Sequence, residues 1–155
     1  MTAHGTLAGY PDVQHVSNSE LLELPCDILV LAALEEQLTA ENAPRIDTKL
    51  VVEGANGPTT IEADAILVER GILILPDVLT NAGGVTVSYF EWVQDLGRLF
   101  WTRDEIRARL ADKLADAFDR VWALSEEKNI SLRQAALVAG INEVGAALKA
   151  RGIYP

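Results

Sequence analysis

Two asparagines stand in runs of small residues. Asn56 lies in Gly54-Ala55-Asn56-Gly57-Pro58-Thr59-Thr60, and Asn81 opens Asn81-Ala82-Gly83-Gly84-Val85-Thr86. Each primary amide offers two N–H donors and an acceptor oxygen, a set that suits a carboxamide or ribose hydroxyls. Small neighbours let a flat ligand approach the backbone, and glycine supplies φ values that other residues avoid. Ser88 adds a hydroxyl four residues after Gly84. Each feature also has a plainer account. Asn56-Gly57 and Gly83-Gly84 are turn residues, and Ser88 is a capping or solvent-facing hydroxyl. On residue chemistry alone the plainer account is favoured.

Other reactive residue types point less clearly to a site. His4 and His15 lack a metal-binding companion, so no metal site is expected. Cys26, the one cysteine, precedes an apolar run and reads as a small buried hydrophobe. It can form no internal disulfide, which points to a reducing cytoplasm. Trp92, Trp101 and Trp122 read as packing residues, and Glu35 and Glu36 as acids opening a helix near its positive end.

The elements that must hold these residues are legible from pattern. β-rich runs occur at Val13–Val16, Ile28–Ala32, Leu50–Glu53 and Ile72–Leu75. Ile28-Leu29-Val30-Leu31 and Ile72-Leu73-Ile74-Leu75 are apolar throughout, as in parallel strands buried on both faces. The segments between them are long enough for crossover helices. The expected core is therefore three parallel strands, 28–32, 50–53 and 72–75, with Val13–Val16 as a short optional fourth. In an open parallel sheet, ligands bind beyond the carboxyl ends of the strands. Those ends carry Ala32-Ala33, the Asn56 loop and the Asn81 segment.

Helix starts are marked by Ser17 with Glu20, Thr59 with Glu62, Thr102 with Glu105 and Ser131 with Gln134, each fitting a capping box. Gly71, Asn129 and Gly152 can take the left-handed conformation that ends a helix. Ile106, Leu110, Leu114, Ala117, Val121 and Leu124 form one apolar stripe on a helix of about 103–128. A last helix is expected over about 132–150. The fold class is α/β with a helical C-terminal half.

The chain has 155 residues, 49% apolar and 23% charged, which suits one folded domain rather than a disordered chain. Its longest apolar run, Ile28 to Leu34, falls far short of the roughly 20 residues of a membrane span, so no membrane is expected. The net charge is −10, and residues 1–97 carry Arg45, Lys49 and Arg70 as their only Lys or Arg. Such a surface repels phosphate backbones, which argues against nucleic acid as a partner.

Longer stretches resemble a known family. Val52-Glu53-Gly54-Ala55-Asn56-Gly57-Pro58-Thr59-Thr60 is similar to a signature of the glutamate dehydrogenases. So is Leu75-Pro76-Asp77 leading into Asn81-Ala82-Gly83-Gly84-Val85-Thr86-Val87-Ser88-Tyr89-Phe90-Glu91-Trp92. Cys26-Asp27-Ile28-Leu29-Val30, Ala32-Ala33-Leu34-Glu35, Arg133-Gln134-Ala135-Ala136 and the ending Arg151-Gly152-Ile153-Tyr154-Pro155 match as well. Leu31 stands where the family usually has Pro, and Glu36 where it usually has Asn. The resemblance runs over nearly the whole chain from Gly5.

The resemblance implies a partial Rossmann-like, doubly wound NAD(P)-binding domain over 1–155. The family's substrate domain and Gly-rich first βαβ unit have no counterpart in this sequence. It implies that Ala32, Ala33, Asn56 and Asn81 line the nicotinamide-ribose end of an NAD or NADP site. Val85 and Ser88 would face the substrate, with Ser88 bonding the glutamate side-chain carboxylate. Family members convert L-glutamate to 2-oxoglutarate and ammonia. None of Lys49, Lys113, Lys128 or Lys149 is followed by Gly, so none sits in the family's catalytic Lys-Gly-Gly setting, and no catalytic residue is assigned. The expectation is a C-terminal dehydrogenase segment, inactive alone and weak in dinucleotide binding. Its edge strand, 28–31, would pair with a complementary N-terminal dehydrogenase segment or self-associate. The alternative is a non-catalytic binding or regulatory module.

Overall fold

The computed structural model describes residues 13–152. Three strands form a parallel sheet in the order β1 (Ile28–Leu31), β2 (Leu50–Glu53), β3 (Leu73–Leu75). The register aligns Ile28 with Leu50 and Leu73, and Val30 with Val52 and Leu75. Both outer strands are one residue shorter than expected. Ala32 lies just past β1, and Ile72 is drawn off β3 by donating its N–H to the Leu67 carbonyl at 3.0 Å. Val13–Val16 is irregular, so its β-branched composition does not make a fourth strand.

Helices close both faces of the sheet to different extents. After β1 the chain makes one 3₁₀ turn, Ala43–Arg45, before β2. Helix α1 is Asn18–Leu22 and α2 is Ile61–Glu69. Past β3 come α3 (Asp77–Thr80), α4 (Gly83–Gly97), α5 (Arg103–Lys128) and α6 (Leu132–Arg151). On the α2 side, Leu31, Val51 and Ile74 pack with Leu38, Ile46 and Leu67, the last three fully buried. Each such side chain contributes roughly 1.5–3 kcal/mol, so this side is the main anchor. On the other face Leu75 packs with Val121, Leu132 and Ala135 of α5 and α6. The all-apolar strands suggested burial on both faces, but that second layer stops short of β1. Ile28 is 55% exposed and Val30 is 58% exposed.

Capping follows the sequence at three starts. Ser17 opens α1, Thr102 opens α5 and Ser131 opens α6, each with its reciprocal Glu or Gln. Helix α2 differs. Its cap is Thr60, accepting from Ala63, and not Thr59. The chain is pinned first by a one-residue bridge between Leu38 and Thr59 and by the Thr60 N–H on the Leu38 carbonyl. Gly71 and Asn129 end helices at positive φ as expected. Gly152 has φ +80° but an extended ψ of 176°, so it is not left-handed helical. The α5 stripe faces inward, with Val121 buried. Glu35 and Glu36 open no helix, and Cys26 is exposed, 3.7 Å from the Thr48 hydroxyl. Trp92 is 58% exposed, so it is not a buried packing residue. Among the described residues no helix is long and apolar enough to cross a membrane.

Candidate functional site at the strand ends

Parallel pairing places the carboxyl ends of β1, β2 and β3 side by side, and short contacts stitch the three tips together. The Ala55 N–H donates to the Leu31 carbonyl at 2.8 Å. A Cβ on Gly54 would meet the Ala32 Cβ at 3.2 Å, a tight contact, so glycine at 54 eases the close approach of the first two tips. Across the second gap, Asn81 Nδ2 donates to Asn56 Oδ1 at 2.6 Å. This bond turns two amides into a unit. Among the described residues the Asn56 NH₂ and the Asn81 Oδ1 have no hydrogen-bond partner. One donor group and one acceptor are therefore left free on the pair, the two kinds of group that another primary amide would bond.

Ala32 and Ala33 are exposed at the first tip, and their methyls leave the backbone open to a flat group. Ala32, Asn56 and Asn81 thus meet at adjoining tips. Val85, 70% exposed, and Ser88, also exposed, lie one turn apart on α4. Among the described residues the Ser88 hydroxyl makes no hydrogen bond to the amide pair. Helix α4 begins at Gly83, directly after α3, and has no side-chain cap. Among the described residues no group of three or more His, Cys, Asp or Glu is placed to hold a metal.

Beneath the tips lies a charged cluster that the sequence reading did not single out. Glu53 ends β2 and is fully buried. Arg133, in the first turn of α6, donates from Nη2 to Glu53 Oε1 at 2.6 Å and from Nε to Asp64 Oδ1 at 2.7 Å. Its Nη1 lies 3.6 Å from Asp77 Oδ1. Burial pulls the Arg133 pKa down, but the hydrogen bonds to Glu53 and Asp64 and their charge outweigh it. The guanidinium is held above its ordinary value. Two signals were available in the sequence. Glu53 is the only acid in an apolar strand, and Arg133 is a cation near a helix N-terminus, where the dipole disfavours it unless acids compensate.

The chain's likeness to known proteins covers this whole region. The family model described as Glutamate/Leucine/Phenylalanine/Valine dehydrogenase matches residues 1–152. A glutamate dehydrogenase of Thermotoga maritima is 56% identical over 98% of this chain and 36% of its own length. An NAD-specific glutamate dehydrogenase of Clostridioides difficile is 46% identical over 99% of this chain and 37% of its own. Among solved structures, the hetero-hexameric glutamate dehydrogenase of Thermus thermophilus in its Leu-bound form superposes with a TM-score of 0.87. It is 36% identical, covering 96% of this chain and 36% of that one. The glutamate dehydrogenase of Peptoniphilus asaccharolyticus gives 0.76 at 46% identity, covering 81% and 32%. The chain thus spans about a third of the length of the relatives it matches. With a parallel sheet, amide-bearing tips and a family match along nearly its full length, this chain belongs to the glutamate/leucine/phenylalanine/valine dehydrogenase family.

Proposed function

We propose that this chain is the C-terminal segment of an NAD(P)-dependent glutamate dehydrogenase. In the complete enzyme, L-glutamate would be oxidatively deaminated to 2-oxoglutarate. The observation that carries the reading is the Asn56–Asn81 amide pair at adjoining strand ends. Its free donor and acceptor suit the carboxamide of a nicotinamide, and the small, exposed Ala32 and Ala33 at the neighbouring strand end leave room for a flat ring. When bound, the dinucleotide supplies the hydride acceptor. The residues of this chain have binding and orienting roles. Asn56 and Asn81 hold the amide end, while Val85 shapes the substrate side and Ser88 donates a hydrogen bond to the glutamate side-chain carboxylate. No residue here is assigned as general base. The chemistry therefore needs groups from a complementary dehydrogenase segment. The domain is read as part of an NAD(P)-binding domain over 1–155, working in the cytoplasm.

The test is an activity and binding assay on the full chain, alone and with a complementary segment. Alone, the chain should give no glutamate-dependent reduction of NAD⁺ or NADP⁺, and calorimetry should find at most weak dinucleotide binding. Co-expressed with the N-terminal two-thirds of a related dehydrogenase, it should restore turnover. Ser88→Ala should then raise the KM for glutamate. Turnover by the chain alone, abolished by Ser88→Ala, would overturn the assignment. A stable complex without turnover would favour the non-catalytic binding module.

A further inference from the structure

We infer that Arg133 is a positioning residue for the strand-end amide pair, acting from α6 through the buried Glu53 carboxylate and the partly buried Asp77 carboxylate. The chain of contacts is continuous. Arg133 Nη2 holds Glu53 Oε1, and the other oxygen, Oε2, accepts the Asp77 N–H at 2.9 Å. Asp77 Oδ2 accepts the Gly57 N–H at 2.8 Å. Gly57 is bonded directly to Asn56 along the chain. On the other side, the Thr80 hydroxyl donates to the Glu53 carbonyl, and the Asn81 N–H donates to the Asp77 carbonyl at 3.0 Å. Both asparagines are therefore referenced to Glu53 and Asp77, and Arg133 is the cation that faces both acids.

Charge explains why the arrangement needs an arginine. Glu53, Asp64 and Asp77 converge on one guanidinium, and Glu53 is fully buried. Without the cation the three acids repel, and a buried carboxylate is left uncompensated. Asp77 is the most loosely held of the three, 3.6 Å from the guanidinium on a helix that is a single short turn. It would swing outward and release Gly57. Lysine is a point charge that cannot fork between these acids, so Arg133→Lys keeps the charge and loses the geometry.

This inference rests on the proposed function for its consequence in cofactor binding, and its test is chosen to stand apart from activity. Amide exchange is followed by NMR in the isotope-labelled full chain for Arg133→Lys and for Leu67→Ala. The second variant lowers stability through a cavity without touching the carboxylates. In Arg133→Lys the Gly57 amide should exchange about tenfold faster relative to the amides of α5, with a shift of the Asn81 side-chain amide signals. In Leu67→Ala, Gly57 and α5 should change together. If Gly57 merely follows α5 in Arg133→Lys, the residue is structural only and the inference fails. Should Arg133→Lys not fold, Asp77→Ala cuts the last link instead. An unchanged Gly57 amide there overturns the inference equally. Absence of dinucleotide binding in a complemented enzyme would overturn the functional reading and leave the exchange result standing.

Discussion

Glu36 adopts a left-handed backbone, φ +52°, and donates its N–H to the carbonyl of Gly57 at 2.9 Å. The bond ties the segment after β1 to the loop that carries Asn56. It is bought with a conformation that L-residues other than Asn, Asp and Gly avoid. The family resemblance puts Asn at this position, and Asn tolerates this dihedral better than Glu. Glu36→Asn should raise stability by about 1 kcal/mol. Thermal unfolding would then shift upward by roughly 2–4 °C. No gain in melting temperature would mean the strain is relieved elsewhere in the loop.

The Thr59-Thr60 pair gives a prediction with two opposite signs. Thr60 caps α2 by accepting from Ala63 at 3.2 Å, so Thr60→Ala should cost about 1 kcal/mol. The Thr59 hydroxyl is buried without a hydrogen-bond partner among the described residues. Thr59→Val keeps the shape and removes the orphaned group, so it should be neutral or stabilising, by up to about 1 kcal/mol. Denaturant melts of the two variants decide it. A larger loss for Thr59→Val than for Thr60→Ala would restore Thr59 as the cap.

The same pair shows where sequence reading stops. Thr59 with Glu62 fits the capping box as well as the true starts at Ser17, Thr102 and Ser131. Those three are settled by neighbours within one turn, and local pattern suffices. The start of α2 is instead set by Leu38, which bridges Thr59 and accepts from Thr60. The strands were legible from apolar runs, but Val13–Val16 shows that such residues form a strand only with a partner to pair. At the site, the tips bearing Asn56 and Asn81 followed from parallel topology. The Arg133–Glu53 pair, 80 residues apart, did not. Its partners are chosen by the packing of α6 on β3, and no short-range pattern encodes that.

Acid should loosen the helix starts at Ser17 and Thr102 selectively. Glu105 lies below its ordinary pKa because the Thr102 N–H, then its hydroxyl, bond the carboxylate. Glu20 is held down in the same way by Ser17. A depressed carboxylate stabilises the fold fully above its ordinary value of 4.5, and that contribution fades as pH falls through the depressed pKa. Glu105→Gln should therefore behave as wild type at the acid end and be slightly less stable near neutrality. Far-UV circular dichroism melts at a series of pH values test this. An unchanged gap between the two proteins across that series would rule out the linkage.

Association should run through β1. Among the described residues its outer edge pairs with no strand, and Ile28 and Val30 stand exposed on the sheet face that α5 and α6 leave uncovered. Unpaired apolar edges recruit other strands. The side chains of β1 differ in what they touch, and that selects the variant. Leu29 packs against the α2-side core, so a charge there would unfold the domain and mimic a loss of contact. Val30 is 58% exposed, so Val30→Lys charges the edge while leaving the core intact. Analytical ultracentrifugation of the wild-type chain should show self-association that grows with concentration, and Val30→Lys should shift it to monomer. A complementary N-terminal dehydrogenase segment should compete with the self-association by occupying the same edge. A wild-type chain that stays monomeric over a wide concentration range, with Val30→Lys indistinguishable from it, would show that this edge recruits no second copy.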